Sequence, residues 1–346
     1  MNKIFAVLFT VFFFSGLLHA QNFVSLDVSD RKVLEEINGA SSRLDNVKSK
    51  KERAVIIEEI AKILTSAKQY AAAENVYKRL LEEKPSKKKQ FSYYVSLGDL
   101  YALQNNYSLS LDSYKKALAL YKKNTAVKLK VGDILIESNL YNLAEQNFLE
   151  VLKNDKNSDY AKKRLGDIYY HQDLHAKAWQ YYLMIDPQSY TKETIINMAV
   201  CCRSLDQTEE GIRLTDDFLK NQESAELFFM SGLLYADKNK YEMAEKQFLN
   251  SLRLDENNFS VYVYLAGIYL SAGELGKARE FLDKAYKRNS SYAAIDLMYA
   301  EMAFNSGRLY EARRYAHNAS FKAKTPFMKD QTQKMIEFLK TKDSRF

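Results

Sequence analysis

Small residues recur along the chain in two columns that stay in step with each other. The first column recurs every 33 to 37 residues, and its members are Ala61, Gly98, Gly132, Gly166, Ala199, Gly232, Ala266 and Ala300. The second column follows twelve residues later in each copy, and its members are Ala73, Ser110, Ala144, Ala178, Gly211, Ala244, Ala278 and Ala312. Apolar residues at helical spacing flank both columns, and polar breaks such as Gln104–Asn106 separate them. This pattern predicts eight helix–turn–helix units in which small residues let paired helices approach closely.

Larger side chains occupy two further columns of the same repeat. One lies nine residues after the first small column: Tyr70, Tyr107, Tyr141, His175, Thr208, Tyr241, Leu275 and Leu309. The other lies four residues after the second small column: Tyr77, Tyr114, Phe148, Tyr182, Thr215, Phe248, Leu282 and Ala316. We expect these side chains to fill the space beside the small residues. Because no unit can bury its own apolar face, neighbouring units must stack.

Three stretches carry a resemblance to a known repeat: Leu97–Tyr101, Leu165–Tyr169 and Tyr241–Phe248. They resemble the tetratricopeptide repeat, a helix–turn–helix of 34 residues. The resemblance covers about residues 54–326 and implies an all-α, right-handed α-solenoid of about eight repeats. It also implies that the first helices of the repeats line a concave groove for protein partners.

The sequence at both ends of the repeat region predicts capping helices, which cover the exposed apolar faces of the terminal units of a solenoid. Residues 21–53 contain apolar positions at helical spacing and predict an N-terminal capping helix. Pro326 can open a last helix, so residues 327–346 are predicted to form a C-terminal capping helix and tail.

The first twenty residues form a separate element. Lys3 precedes the apolar run Ile4–Leu18, and a small residue, Ala20, stands before Gln21. This order is typical of a secretory signal, and the run is shorter than the ~20 residues of a spanning helix. We expect cleavage between Ala20 and Gln21 and a periplasmic or secreted chain without a stable membrane span. An uncleaved anchor is the alternative.

Composition agrees with an all-α, non-enzymatic protein. The 346 residues include only 11 glycines and 3 prolines, fewer than turn-rich sheet folds use. No phosphate-binding loop, nucleophile elbow or zinc-protease motif occurs. His171 and His175 invite a metal interpretation, but the register puts Asp173 between them in a turn. Cys201 and Cys202 are adjacent in a predicted helix and cannot bridge there. We expect no metal and no cofactor.

Basic residues exceed acidic ones, mostly in the N-terminal half. Without the first twenty residues the chain has 50 basic and 44 acidic residues. The lysines concentrate at Lys48–Lys51, Lys87–Lys89 and Lys122–Lys123. An exported chain rarely meets nucleic acid, so none is expected as a partner. These loops support an alternative function, binding of an anionic envelope polymer or lipid surface.

Two sets of residues on the predicted first helices are candidate partner sites. A polar set combines an aspartate ladder with a neighbouring lysine: Asp99, Asp133, Lys163 and Asp167. This ladder either grips a basic partner segment or pairs locally, since Lys163 and Asp167 are four residues apart. An apolar set lies toward the C-terminus: Ile196, Phe229, Leu233, Val263, Tyr264, Leu270, Leu297 and Phe304. Apolar residues where a groove should be open predict a site for a helix or extended peptide.

These features together predict a protein–protein interaction scaffold of the bacterial cell envelope. The partner would be a protein of an envelope complex, held in the groove. Secretion, outer-membrane or flagellar machinery is reasonable by analogy with other exported proteins of this type.

The signal segment generates the first testable prediction. Protein purified from its native cell should begin at or near Gln21 and fractionate as soluble material outside the cytoplasm. Intact-mass measurement and N-terminal sequencing check this. Recovery of Met1 on membrane-bound material would instead identify an uncleaved anchor.

Overall fold

The computed structural model describes residues 31–342, and this part of the chain forms eighteen α-helices. Their bounds are α1 Arg31–Asn46, α2 Lys50–Ser66, α3 Tyr70–Glu82, α4 Lys87–Leu103, α5 Tyr107–Leu120, α6 Thr125–Glu137, α7 Tyr141–Asn154, α8 Asp159–His171, α9 His175–Leu183, α10 Lys192–Ser204, α11 Thr208–Leu219, α12 Ala225–Asp237, α13 Tyr241–Leu254, α14 Phe259–Ser271, α15 Leu275–Arg288, α16 Ala293–Asn305, α17 Leu309–Lys322 and α18 Pro326–Thr341. A short 3₁₀ turn, Pro187–Ser189, precedes α10. The predicted signal segment and its cleavage point at Ala20 and Gln21 lie outside the described residues.

The eight predicted units are helix pairs, from α2–α3 to α16–α17. The first small column lies on the even-numbered helices α2 to α16, and the second lies on the odd-numbered helices α3 to α17. All sixteen members of the two columns are buried. Helices α1 and α18 flank the pairs. The predicted fold class, an all-α solenoid of helix–turn–helix repeats with covering helices, is confirmed. The exact domain boundaries stay predictions.

The chain divides into two compact units, with the division inside α8 between Ile168 and Tyr169. In the N-terminal unit, the largest core side chains include Leu64, Tyr77, Leu100 and Tyr114. In the C-terminal unit, separate apolar clusters centre on Leu234 and Phe248, on Leu282 and Tyr299, and on Ala316 and Ile336. Each cluster joins the helices of neighbouring repeats, as expected for stacked units.

A residue with a left-handed backbone conformation follows the first helix of every repeat. These residues have φ between 55° and 75° and are Lys68, Asn105, Asn139, Asp173, Asp206, Asn239, Gly273 and Gly307. The next residue donates its N–H to the carbonyl five residues earlier, as Asn106 does to Tyr101 at 2.9 Å. This is the Schellman bond, which satisfies a carbonyl at the helix end. Asparagine, aspartate and glycine tolerate this backbone conformation best, which explains the polar breaks in the sequence.

Glycines of the first column touch aromatic rings of the second helix. A Cβ atom would lie 2.4 Å from the Tyr114 ring at Gly98, 2.3 Å from the Phe148 ring at Gly132 and 2.5 Å from the Phe248 ring at Gly232. Each ring comes sixteen residues after its glycine. In three repeats with alanine instead, the residue sixteen positions on is smaller than an aromatic residue: Thr215 follows Ala199, Leu282 follows Ala266, and Ala316 follows Ala300. The first repeat departs from this rule, since Tyr77 follows Ala61.

We expect Gly132→Ala to destabilise the N-terminal unit. The added methyl group overlaps the Phe148 ring, so one helix must shift. Overpacking of this kind costs roughly 1–3 kcal/mol in the free energy of unfolding. Thermal and urea unfolding followed by circular dichroism measure it.

Two further variants make this test specific. Gly276→Ala is the matched control, because that helical glycine is exposed and has no atom within 4 Å of an added Cβ. It should stabilise by a few tenths to about 1 kcal/mol through helix propensity. Adding Phe148→Leu to Gly132→Ala recreates the Ala266–Leu282 pairing and should recover part of the loss. If Gly132→Ala melts like the wild type, the glycine–ring contact does not pack as described.

Candidate partner-binding faces

First helices of the N-terminal unit present a polar face, which carries the predicted aspartate ladder. Asp99 on α4 accepts a hydrogen bond from the Tyr114 hydroxyl at 2.5 Å and pairs with Lys130 Nζ at 2.6 Å. Asp133 on α6 accepts from Tyr160 at 2.7 Å and from Arg164 Nε at 2.8 Å. Both cations come from the next repeat, 31 residues later in sequence.

The third rung of the ladder is paired within its own helix. Lys163 Nζ lies 2.8 Å from Asp167 Oδ2, one helical turn away, and the Asp167 side chain is only 10% exposed.

Burial, and the hydrogen bond to Asp133 of the second rung, raise the pKa of Tyr160 to about 12, so its hydroxyl stays a donor at neutral pH. The ladder is thus neutralised by cations of this same face. That it grips a basic partner stays a prediction, and a partner would have to displace those cations.

Some lysines of the N-terminal basic segments form ion pairs with carboxylates of the described residues, and others do not. Lys89 Nζ lies 2.5 Å from the carboxylate of Glu58, which is largely buried, and Lys50 pairs with Glu83 at 3.5 Å. Lys87 Nζ lies 5.3 Å from the Tyr121 ring centre, which brings it to the turn that carries Lys122–Lys123. This turn and the start of α4 therefore form one basic edge of the N-terminal unit.

First helices of the C-terminal unit present an apolar face. Six of the eight predicted residues contribute surface to it: Ile196, Phe229, Val263, Leu297 and Phe304 are half-buried, and Tyr264 is 44% exposed. The other two, Leu233 and Leu270, are each 6% exposed and pack in the core between helices. Those two positions offer little surface to a partner. The partner-binding role of the set stays a prediction.

Three aromatic rings from successive helices form the floor of this apolar face. Phe229 on α12 lies 5.9 Å from Phe248 on α13 and 5.6 Å from Tyr264 on α14, between ring centres. Phe248 stacks on Tyr264 at 5.7 Å with 21° between ring planes. Because Phe248 also packs on Gly232, the repeat contact that holds the hairpin also positions Tyr264.

A shallow pocket of about 320 Å³ opens beside Tyr264. Its lining is Tyr241, Val263, Tyr264, Gly267, Ile268, Ser271 and Met298. Gly267 leaves room for this pocket, since the corresponding residues of the two preceding repeats are the larger Val200 and Leu233. The lining residues Gly267, Met298 and Tyr241 were not predicted as site residues. A glycine that follows two aliphatic residues, Val200 and Leu233, at the same position of the repeat is the sequence signal that would have found them.

Charged residues on this face pair with each other. Arg203 on α10 holds Asp237 on α12 through two hydrogen bonds, of 2.5 Å and 3.1 Å. Lys192 pairs with Glu226 at 3.2 Å, also between α10 and α12. Both pairs span 34 residues, so opposite charges at one position of consecutive repeats would have predicted them. These four charges therefore compensate each other, and the surface beside Tyr264 and Gly267 is mainly apolar.

The two cysteines are buried, whereas His171 is exposed and His175 is half-buried. His171 ends α8 and His175 begins α9, on either side of the turn residue Asp173. Cys201 and Cys202 are fully buried and free, and burial raises their pKa values to about 11 and about 12. Among residues 31–342, no three potential metal-ligating His, Cys, Asp or Glu side chains gather at one point.

The family assignment follows from these repeats. The tetratricopeptide repeat family matches residues 59–125, 129–190 and 229–294, which is 195 of the 346 residues. The chain belongs to the tetratricopeptide repeat family. Proteins of this family are generally non-enzymatic scaffolds that bind protein partners. No curated protein sequence matches the chain. Within the described residues, no helix combines the length and apolar character needed to cross a membrane.

Solved structures share the fold at low sequence identity. A tetratricopeptide repeat protein from Parabacteroides merdae is 12% identical with a TM-score of 0.54, and the match covers 72% of this chain and 99% of that one. A chain of the APC/C hetero-tetramer Cut9–Hcn1 is 13% identical with a TM-score of 0.51, covering 88% and 59%. PilW, a type IV pilus biogenesis factor, is 20% identical with a TM-score of 0.49, covering 57% and 92%.

We expect both thiols to be unreactive in the folded protein. Burial raises the pKa of Cys201 to about 11, which lowers its thiolate fraction at pH 8 by roughly 100-fold, and burial excludes reagents as well. Titration with a thiol-reactive disulfide reagent should detect almost no thiol in the native protein and two in urea. Fast labelling of either cysteine without denaturant would show that α10 opens readily or is packed differently.

Proposed function

We propose that this protein is a non-enzymatic scaffold of a bacterial cell envelope that holds a segment of a partner protein on its apolar face. The observation that carries the proposal is the open pocket at Gly267 beside the exposed Tyr264 ring. A tetratricopeptide fold supports protein–protein interaction in general. The envelope location is supported by the apolar run Ile4–Leu18 and the small residues after it.

The chemistry of the face indicates the kind of segment that fits. Aromatic and aliphatic side chains form its open surface, and Arg203–Asp237 and Lys192–Glu226 compensate each other at one side. A strongly charged segment would have to break these pairs to gain contacts of its own. An apolar helix or extended peptide, with one large side chain for the pocket, gains from burial without that cost.

A second candidate function rests on the basic edge of the N-terminal unit. Lys87 and Lys88 at the start of α4 are exposed, and the turn with Lys122–Lys123 lies next to Lys87. Lysines gathered in this way attract anionic polymers or lipid headgroups through long-range electrostatics. Added salt separates the two functions, since such binding collapses with ionic strength while apolar burial does not.

Filling the pocket tests the main proposal directly. Gly267→Leu adds a side chain where the nearest atom to a new Cβ is the flexible end of Met298, at 3.3 Å. The fold should therefore tolerate it. With a photo-crosslinking residue at Tyr264, the native envelope should give one main crosslinked protein, and Gly267→Leu should reduce that product at least about tenfold, as loss of one anchor contact does.

Gly276→Leu is the matched control, because it adds the same side chain at an exposed helical glycine outside the face. It should leave the crosslink and the helical spectrum unchanged. Lys87→Glu combined with Lys88→Glu should also leave the crosslink intact. If these lysine changes abolish partner capture while Gly267→Leu does not, the basic edge is the functional surface and the apolar face is not.

A further inference from the structure

The most exposed aromatic side chains of the described chain lie close together in sequence near its C-terminal end. Phe321 is 87% exposed, Tyr310 is 81% exposed and Phe327 is 68% exposed. The next most exposed large hydrophobic side chain within residues 31–342 is Leu103, at 57%. Leaving such rings in water forgoes the stabilisation of burial, so their clustering in residues 310–327 points to an external contact.

Helix geometry aligns these rings with basic side chains. Tyr310, Arg314, His317 and Phe321 follow each other at intervals of four, three and four residues, so they share the outer stripe of α17. All four are exposed. A three-residue turn then leads to α18, whose first turn carries Phe327. We call Arg314, His317, Phe321, Lys324, Phe327 and Lys329 the C-terminal aromatic patch.

The patch lies in a segment with many more basic than acidic residues, although the C-terminal part of the chain as a whole has nearly equal numbers of both. Residues 308–329 hold six basic residues and one acidic residue, whereas residues 192–346 as a whole hold 23 and 22. Arg308 pairs with Glu311 at 3.0 Å, Lys322 pairs with the buried Asp296 at 2.5 Å, and Arg313 donates a hydrogen bond to the Leu339 carbonyl at 3.3 Å. Three exposed bases, Arg314, Lys324 and Lys329, form no ion pair with any carboxylate of residues 31–342. Each lies within seven residues of Phe321 or Phe327 in sequence.

We propose that the C-terminal aromatic patch binds the surface of an anionic lipid bilayer. Aromatic rings are favoured at the level of the headgroups, where an apolar body meets a polar boundary. Lysine and arginine beside them are attracted to the lipid phosphates, and the two contributions reinforce each other. The patch lies on α17, the following turn and the start of α18, whereas the apolar face lies on the first helices of the repeats, so the inference does not depend on the proposed partner protein.

A lipid surface fits this patch better than a protein does. Lysine is depleted in the cores of protein interfaces, whereas here Lys324 lies in the turn between Phe321 and Phe327. The patch also projects from a helix end and a turn. Rings that project outward between basic side chains are the arrangement seen at membrane surfaces.

Tryptophan probes placed at single positions test the proposal in the full-length chain. Trp179 is the only native tryptophan and is buried, so it provides a constant background. Phe321→Trp and Phe327→Trp should keep the fold, because both rings are exposed. With vesicles of phosphatidylcholine and phosphatidylglycerol in equal parts, their emission should shift to the blue, and bromine-labelled acyl chains should quench it.

Tyr264→Trp is the positional control, since it is an exposed aromatic on the apolar face of the same unit. It should show neither shift nor quenching. Vesicles of phosphatidylcholine alone should give at least about tenfold weaker binding, and so should Arg314→Glu with Lys324→Glu and Lys329→Glu. Gly267→Leu should leave lipid binding unchanged, so failure of the partner proposal and failure of this one are distinguishable.

Three results would overturn the inference. The first is no spectral change at Phe321→Trp or Phe327→Trp with anionic vesicles. The second is equal quenching of the Tyr264→Trp control, which would mean that another part of the chain adsorbs to the lipid. The third is a dimer in sedimentation that Phe321→Ser with Phe327→Ser dissolves in the absence of lipid, because the patch would then bind a second copy.

Discussion

The contact between a glycine backbone and an aromatic ring is the constraint on which the rest of the structure depends. At Gly98, Gly132 and Gly232 there is no room for even one methyl group against the ring of the paired helix. This close approach fixes the distance between the helices of a repeat. The Schellman turn fixes where one helix ends and the next begins. With both fixed, the exposed positions of each first helix recur at the same place in every repeat.

That regularity lets neighbouring repeats carry different chemistry on one scaffold. In the N-terminal unit, Lys130 and Arg164 reach back to the aspartates of the preceding repeat, so the polar face stabilises its own stacking. In the C-terminal unit, Phe248 both packs on Gly232 and supports Tyr264. A structural contact and a candidate binding surface therefore share one side chain, which holds the surface in place before any partner arrives.

The sequence predicts the repeats well because their signal is local and periodic. Two small columns twelve residues apart define the pairing of Gly132 and Phe148 without knowledge of the remaining chain. Which side chains of a helix are buried by neighbouring helices is harder to predict, because it depends on how those helices pack against each other. Leu233 and Leu270 have the spacing of face residues, yet adjacent helices bury them. The exposure of Phe321 likewise depends on where the last helix stops covering α17, and no periodicity encodes that.

The charge pairs on the apolar face bear on how it would select a partner. Arg203 with Asp237, and Lys192 with Glu226, satisfy each other across consecutive repeats, so neither pair leaves a charge to attract a ligand. These four residues therefore contribute little to selection by charge complementarity. What distinguishes one apolar segment from another is shape, and the feature with the most defined shape is the gap at Gly267, where Val200 and Leu233 fill the equivalent space in other repeats. A single glycine at a position where the two preceding repeats carry aliphatic side chains thus gives one repeat a recognition feature without altering the contacts that hold it in the array.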